Sequence, residues 1–249
     1  MELSEFFSVN PKVALAFSGG VDSTYLLYAA LQNGATVCAY YVKSAFQPQF
    51  ELQDAQRLAT QLKTDMTVLN VDVLACPQIR ENPPDRCYHC KKLLFTRITD
   101  RAVAYGYTTL IDGTNASDNI TDRPGMRALR ELSVRSPLRE CGLTKDEIRR
   151  LSKEAGLFTW NKPAYACLAT RIPTHEDITP EKLERTERAE DFLFTLGFTD
   201  FRVRSIQDNA RIQVPSSQLV MVLEKKDQIL RELKKFYSSV SLDLEGRDE

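Results

Sequence analysis

Apolar residues in the first half of this chain alternate between short runs and helical spacing. Residues 13–17 form a continuous apolar run of strand length. Tyr25, Leu26, Leu27, Ala29, Ala30 and Leu31 then mark a helix over 23–33 that ends near Gly34. Residues 36–42 are β-branched and aromatic, as a strand requires. Leu52, Ala55, Leu58, Ala59 and Leu62 recur at helical spacing, and 67–71 reads as a third strand. A helix is predicted over 91–105, with Leu94, Ile98 and Ala102 on one face, and a fourth strand over 109–112. This alternation predicts an α/β fold: a parallel, doubly wound sheet with helices on both faces. Ligands of such sheets bind outside the carboxyl ends of the strands.

The alternation stops after Asn115. Residues 116–143 are rich in Asp, Arg, Pro and Ser and read as mostly loop. Thr144 and Glu147 make a capping box for a helix to Gly156. A Pro-containing loop over 160–173 follows, and Thr179-Pro180 opens a long helix that stops near Gly197. Two short strands (202–206 and 210–214), a helix (217–236) and a last strand (240–244) complete the pattern. A division near residue 176 is expected, with a first domain over 1–175. The second, over 176–249, is a small α+β domain for substrate binding or oligomerisation, so a homo-oligomer is expected.

Composition narrows the classes. The chain has 249 residues, 43% hydrophobic and 27% charged, with a net charge of −1. That balance disfavours long nucleic acid as an obligatory partner. No run approaches transmembrane length, and the N-terminus lacks the basic and apolar regions of a signal peptide, so a cytoplasmic location is expected. In that compartment six cysteines read as ligands, redox groups or buried fillers.

The chemistry begins where the first strand stops, at Ser18-Gly19-Gly20-Val21-Asp22-Ser23. A Gly-rich turn leading into a helix presents free N–H groups and a positive dipole end, which together hold a phosphate. Ser18 and Ser23 add hydroxyls. The nucleotide P-loop would carry Gly-Lys-Ser/Thr here, but this loop has no Lys. An Asp22 beside an anion needs a cation between them, and Mg²⁺ is implied. Asp112-Gly113-Thr114-Asn115, at the end of the fourth strand, adds short polar groups; alone it is equally an ordinary turn.

Cys87-Tyr88-His89-Cys90 precedes the 91–105 helix and places two thiols within reach of one metal or of each other. An iron–sulfur cluster, a redox pair, a zinc site and two buried small residues all remain open. The cluster is favoured because no second Cys-x-x-Cys exists to close a zinc site and the surroundings are not those of a thioredoxin. Cys167 stands among small residues, where burial as a filler is the bland reading. Cys38 is expected to be filler, and Cys76 and Cys141 carry no motif. Thr170, Arg171, Arg202 and Arg204 are candidates for a substrate phosphate. Arg202 and Arg204 share one strand face, which is equally well a solvated face. Residues 123–150 hold eight Lys/Arg against four Asp/Glu, either a solvated basic face or a phosphate-binding surface.

The Ser-Gly-Gly-x-Asp-Ser loop resembles the PP-loop of the N-type ATP pyrophosphatases (the adenine nucleotide α-hydrolase-like fold), and 112–115 resembles the Gly-Thr-Asn that lines their ATP site. Further segments extend the likeness over nearly the whole chain: NPPDRCYHCKK (82–92), DGTNASD (112–118), DRPGMRALRELSVRSPL (122–138), KPAYACLATRIP (162–173), FRVRS (201–205), ARIQV (210–214) and SLDLEG (241–246). Together they resemble the LarE family of ATP-dependent sacrificial sulfur transferases. The resemblance implies that Ser18, Gly19, Gly20, Asp22, Ser23, Gly113, Thr114 and Asn115 bind ATP with Mg²⁺. It implies adenylation of a carboxylate of a pyridinium dicarboxylate mononucleotide, a small-molecule substrate, and replacement of the adenylate by sulfur in nickel-pincer cofactor synthesis. Asp22 and Cys167 would be catalytic, and Cys87, Cys90 and Cys167 would hold a [4Fe-4S] cluster. Ala166 stands next to Cys167, where other members sacrifice a Cys of their own. Two departures are Pro173-Thr174-His175-Glu176 in place of Pro-Tyr-Gly, and Gln213 in place of an acidic residue. A tRNA thiolase, an AMP-forming amidotransferase or NAD-synthase-like ligase, and a non-catalytic nucleotide sensor are the alternatives.

Overall fold

The computed structural model describes residues 1–119 and 124–247. They group into two compact units: Met1–Val73 with Asp85–Lys162, and Leu74–Pro84 with Pro163–Glu249. Residues 163–175 thus group with the second unit and not with the first, where the sequence places them. Hydrogen bonds supply the reason. Asn82 Nδ2 donates to the carbonyls of Pro173 (2.7 Å) and Ile172 (3.3 Å), and the Asn82 carbonyl accepts from His175 N. The carbonyl of Arg80 accepts from Ile178 N.

The first unit runs α1 (Leu3–Val9), β1 (Lys12–Ala16), α2 (Val21–Gln32), β2 (Thr36–Lys43), α3 (Gln49–Gln61) and β3 (Met66–Asn70). After α4 (Pro77–Arg80), which belongs to the second unit, come α5 (Arg86–Ala104), β4 (Thr109–Ile111), α6 (Pro124–Glu131), α7 (Pro137–Glu140) and α8 (Lys145–Glu154). The sheet is parallel, in the order β3-β2-β1-β4. Successive side chains of β1 serve opposite faces. Val13 and Leu15 join Phe6, Phe7, Leu26, Leu27 and Ile148, whereas Ala14 joins Tyr40, Ile98, Ala102 and Leu110. Both faces are therefore covered, as the alternation predicts.

Strand order reverses between β1 and β4. The chain moves outward from β1 to β2 and β3, then returns to the other side of β1. At such a switch point the turns after the two neighbouring strands diverge and leave a crevice. Here those turns are 18–20 and 112–115.

Several elements differ from expectation. The helix α1 escapes the pattern because only Phe6 and Phe7 of it are buried. The helix α5 starts at Arg86, so Cys87 and Cys90 lie inside it and not ahead of it; the Asp85 carbonyl accepts from Tyr88 N at 2.8 Å and begins the helical ladder. The stretch expected as loop contains α6 and α7, whose short buried faces (Gly125, Ala128, Leu129; Pro137, Leu138) are hidden among charges. Asp122 and Arg123 lie outside the described residues.

The second unit holds a 3₁₀ turn (Leu168–Arg171), α9 (Pro180–Thr195), β5 (Arg202–Ile206) and β6 (Asn209–Gln213). A 3₁₀ turn (Ser216–Gln218), α10 (Leu219–Glu224), α11 (Lys226–Leu233) and β7 (Ser239–Leu242) follow. The single helix expected over 217–236 is broken at Lys225. Strand β6 pairs antiparallel with β5 and parallel with β7. Its core includes Leu193, Phe198, Val203, Ile212 and Leu233. Among the described residues no helix is long and apolar enough to cross a membrane.

Candidate functional site

The turn from β1 to α2 is pre-shaped. Gly19 has φ +72°, which favours glycine, and a Cβ there would be crowded at 3.2 Å from Ala55. Ser18 Oγ lies 3.0 Å from Ser23 Oγ, Ser18 N donates to Ser23 Oγ at 3.3 Å, and Ser23 Oγ bonds the Gly20 carbonyl at 3.3 Å. The two serines thus tie the turn to the first turn of α2. Gly20 is the N-cap, and among the described residues no side chain caps this end. The first N–H groups of α2 are left for an anion.

The second turn closes on the first. A Cβ on Gly113 would come within 2.8 Å of Ser23 N, so only glycine allows 112–115 to pack on the α2 N-terminus. Asn115 Nδ2 donates to Asp22 Oδ1 at 3.2 Å. Asp112 is itself fixed by Thr114 Oγ1 and Ser136 Oγ, each at 2.6 Å. The other oxygen of Asp22 meets Lys145 Nζ at 2.6 Å. Lys145 is the first residue of α8, behind the Thr144–Glu147 capping box. Its backbone N donates to Ser117 Oγ, and Ala116 N donates to the Leu143 carbonyl, so α8 is fastened to the turn after β4.

Cys87 and Cys90 sit three residues apart on the first turns of α5, the spacing that puts two side chains on one helix face. The neighbouring α6 braces this turn. Tyr88 Oη donates to Glu131 Oε2 at 2.8 Å, Lys92 Nζ donates to the same oxygen at 3.0 Å, and the Arg127 guanidinium lies 3.7 Å from the Tyr88 ring centre. The hydrogen bond from Lys92 holds the Glu131 carboxyl below its usual range. All six cysteines are outside disulfides. Cys38 and Cys141 pack against apolar clusters, and burial pushes the Cys141 thiol up. Among the described residues no group of three or more His, Cys, Asp or Glu is gathered to hold a metal ion.

In the second unit Cys167 is the N-cap of the 3₁₀ turn. The segment around it hangs on arginines. Arg171 Nη1 donates to the Ala166 carbonyl (2.6 Å) and Thr170 Oγ1 (2.8 Å). Arg202 Nη2 donates to the Ala164 carbonyl at 2.7 Å, and Arg204 Nη1 to the Thr170 carbonyl. Burial, together with repulsion from Arg171 and Arg247, lowers the Arg202 guanidinium to about 10 and moves Arg204 in the same direction. Gln213 accepts from Arg204 Nε at 2.7 Å and donates to Asp243 Oδ2 at 2.8 Å. Asp243 thus stands one hydrogen bond behind Gln213.

The profile of the queuosine biosynthesis protein QueC matches residues 12–81, which carry β1, the phosphate loop and β2 to β3. An uncharacterized protein of Synechocystis (slr1717) is 39% identical over 98% of this chain and 92% of its own length. The pyridinium-3,5-bisthiocarboxylic acid mononucleotide synthase of Lactiplantibacillus plantarum is 34% identical over 94% of this chain and 86% of its own. This chain belongs to the LarE family of PP-loop sulfur transferases. A tRNA-specific 2-thiouridylase (MnmA) of Thermotoga petrophila is 24% identical, over 61% of this chain and 54% of its own.

In this LarE family member the structure brings the turn that holds Ser18, Gly19, Gly20, Asp22 and Ser23 against the turn that holds Gly113, Thr114 and Asn115. It adds Lys145, which no local motif announces; the only sequence signal is the capping box that starts α8. Arg171 departs from its expected role. It is 1% exposed, and its Nε, Nη1 and Nη2 are all engaged within the protein, so it anchors a loop and is not open to a phosphate. Arg202 and Arg204 lie on a buried to half-buried face, not a solvated one. Within the basic stretch 123–150 three arginines are internal clamps: Arg139 on the carbonyls of Asn115 and Asp118, Arg149 on those of Trp160 and Lys162, and Arg135 on Glu140. Sequence reasoning missed Glu190, the partner of Arg171, because a lone Glu inside a charged helix carries no signal.

Proposed function

We propose that this chain is an ATP-dependent sulfur transferase acting on a pyridinium dicarboxylate mononucleotide. The observation that carries the reading is the meeting, at the β1/β4 switch point, of the uncapped α2 N-terminus and the 112–115 turn. The likeness to a named pyridinium-3,5-bisthiocarboxylic acid mononucleotide synthase supports the choice of acceptor.

The loop over 18–23 would hold the β- and γ-phosphates through backbone N–H groups and the hydroxyls of Ser18 and Ser23. Asp22 is the acidic group of that loop and suits Mg²⁺, which supplies charge neutralisation on the phosphates. A carboxylate oxygen of the acceptor attacks the α-phosphorus. The bond from the α-phosphorus to the bridging oxygen breaks, and pyrophosphate leaves with its electron pair. No general base is needed, because the carboxylate is already ionised, so positioning and charge stabilisation carry the step. A sulfur nucleophile then attacks the acyl carbon and AMP leaves. The acceptor's phosphate is assigned to the second unit, to the neighbourhood of Arg204 and Thr170, whose carbonyl accepts from Arg204 Nη1, with Arg202 anchoring the loop through the Ala164 carbonyl.

The thiols of Cys87 and Cys90 fit two ligand positions of an iron–sulfur cluster by donor type and by their shared helix face, and Cys167 would be the third. Such a cluster supplies a bound sulfide at an open iron. A homo-oligomer in the cytoplasm completes the proposal.

ATP labelled at the α-phosphate is expected to give AMP and pyrophosphate only with the acceptor present. ADP as the product would refute the reading. Anaerobic reconstitution with iron and sulfide is expected to give a visible charge-transfer band that Cys87→Ser or Cys90→Ser removes; an unchanged band removes the cluster assignment. Native mass spectrometry of anaerobically purified protein reads the iron content and the number of chains together.

A further inference from the structure

The start of α5 breaks two rules of helix placement. Its first turn carries no acidic side chain, and Arg86 occupies the first helical position. A helix N-terminus is the positive end of the dipole, so a cation there is disfavoured. Arg86 is also buried, at 8% exposure, and a guanidinium is costly to bury unless an anion or strong acceptors meet it. One of its contacts is with the next residue: Arg86 Nη2 donates to Cys87 Sγ at 3.7 Å. A neutral thiol is a weak acceptor and offsets little of that cost. A metal-bound thiolate carries negative charge and accepts far better. The geometry also suits a metal. Cys87 is exposed whereas Arg86 is buried, so the guanidinium reaches the sulfur from the protein side. Cys90 follows one helical turn later on the same face.

We infer that Arg86 is a positioning residue for Cys87: its guanidinium orients the sulfur and offsets the negative charge gathered on an iron–sulfur cluster. The inference rests on the reading that Cys87 and Cys90 ligate such a cluster. Thiolate ligands and a sulfide at the open iron together outweigh the positive charge of the iron–sulfur core, so the assembled group is an anion. A fixed cation beside one ligand sulfur stabilises that anion, and stabilises it more once an electron is added. Hydrogen bonds to the sulfurs and net charge both set the potential of such clusters, and Arg86 acts through both. The dipole of α5 works in the same direction.

The test compares wild type, Arg86→Leu and Arg86→Lys after anaerobic reconstitution of the full chain with iron and sulfide. Iron content and the visible band report how much cluster is present, and a dye-mediated redox titration reports its midpoint potential. Arg86→Leu is expected to take up the same iron and to shift the equilibrium against the reduced form by about tenfold, about 59 mV for one electron. Arg86→Lys keeps the charge without the planar fork and is expected to recover part of that shift. An unchanged potential in fully loaded Arg86→Leu overturns the inference and leaves the cluster reading standing. Should neither variant fold, wild type answers alone. Pulsed EPR of its reduced cluster, with isotopically labelled arginine, is expected to show a coupling to an arginine nitrogen, and the absence of that coupling overturns the inference. A wild-type chain that takes up no iron removes the cluster reading itself, and this inference with it.

Discussion

Glu190 grips Arg171 with both carboxylate oxygens: Nε to Oε1 at 2.8 Å and Nη2 to Oε2 at 2.9 Å, with side-chain exposures of 1% and 0%. The same carboxylate accepts from Val203 N at 2.8 Å and from the Tyr165 hydroxyl. One buried acid on α9 thus holds the 3₁₀ turn after Cys167, strand β5 and the loop before Cys167. Burial opposes the charge on Arg171, but Glu190 more than offsets it and keeps the guanidinium above its ordinary range.

Arg171→Met is expected to destabilise the protein by about 3–5 kcal/mol, because it leaves Glu190 buried without its cation. Urea denaturation measures this, and limited proteolysis should show cleavage within 163–171. A loss below about 1 kcal/mol, the level of a surface pair, would show that the pair does not hold the turn.

Gly113→Ala is expected to damage the crevice without unfolding the sheet. The added methyl meets Ser23 N at 2.8 Å, a backbone atom that cannot swing away. Overpacking of this kind costs about 1–3 kcal/mol, so AMP formation is expected to fall about tenfold or more. Normal turnover by a folded Gly113→Ala protein would mean that the two turns do not need their close approach.

Acid should loosen the 112–115 turn through Glu140. Arg135 Nε donates to Glu140 at 2.9 Å, and the carbonyl of Arg135 accepts from Asp112 N. The hydrogen bond from Arg135 lowers the Glu140 carboxyl below its usual value of 4.5. A depressed carboxylate stabilises the fold fully above its unfolded pKa, and that contribution is lost as pH falls through the folded one. Wild type and Glu140→Gln are therefore expected to differ in urea midpoint at pH 6 and to converge under acid conditions below 4.5. The partial exposure of the pair keeps the difference small. A gap that stays constant with pH would exclude Glu140 as its source.

Thiol reactivity should separate the cysteines. Cys87 is exposed, while burial raises the Cys141 thiol. Thiolate is the reacting form, so iodoacetamide near neutral pH is expected to modify Cys87 well before Cys141 in metal-free protein. Peptide mass spectrometry over a time course reads the order. Equal rates would contradict the burial of Cys141.

The parallel sheet was legible because its cause is local. Strands buried on both faces read as apolar runs, the helices between them as 3.6-residue periods, and the caps at Thr144 and Thr179 as polar residues ahead of helices. The glycine-rich turn after β1 was equally plain, since its glycines answer to a backbone shape that the chain makes by itself. The short helices α1, α6 and α7 were not legible. Each buries too few side chains to print a period, and α6 is held by Tyr88 and Lys92 of another helix, not by its own pattern.

By itself, then, the sequence determined the fold class, the glycine-rich turn between β1 and α2 and the set of thiols. Only the tertiary structure decided that Lys145 faces Asp22, that Gly113 lies against Ser23, and that Arg171 turns inward to Glu190 instead of outward to a phosphate. Backbone dihedrals and burial periods act over a few neighbouring residues and leave a trace in the order of residue types. A charge pair formed across a hundred residues leaves none, because its partners are chosen by how the helices pack.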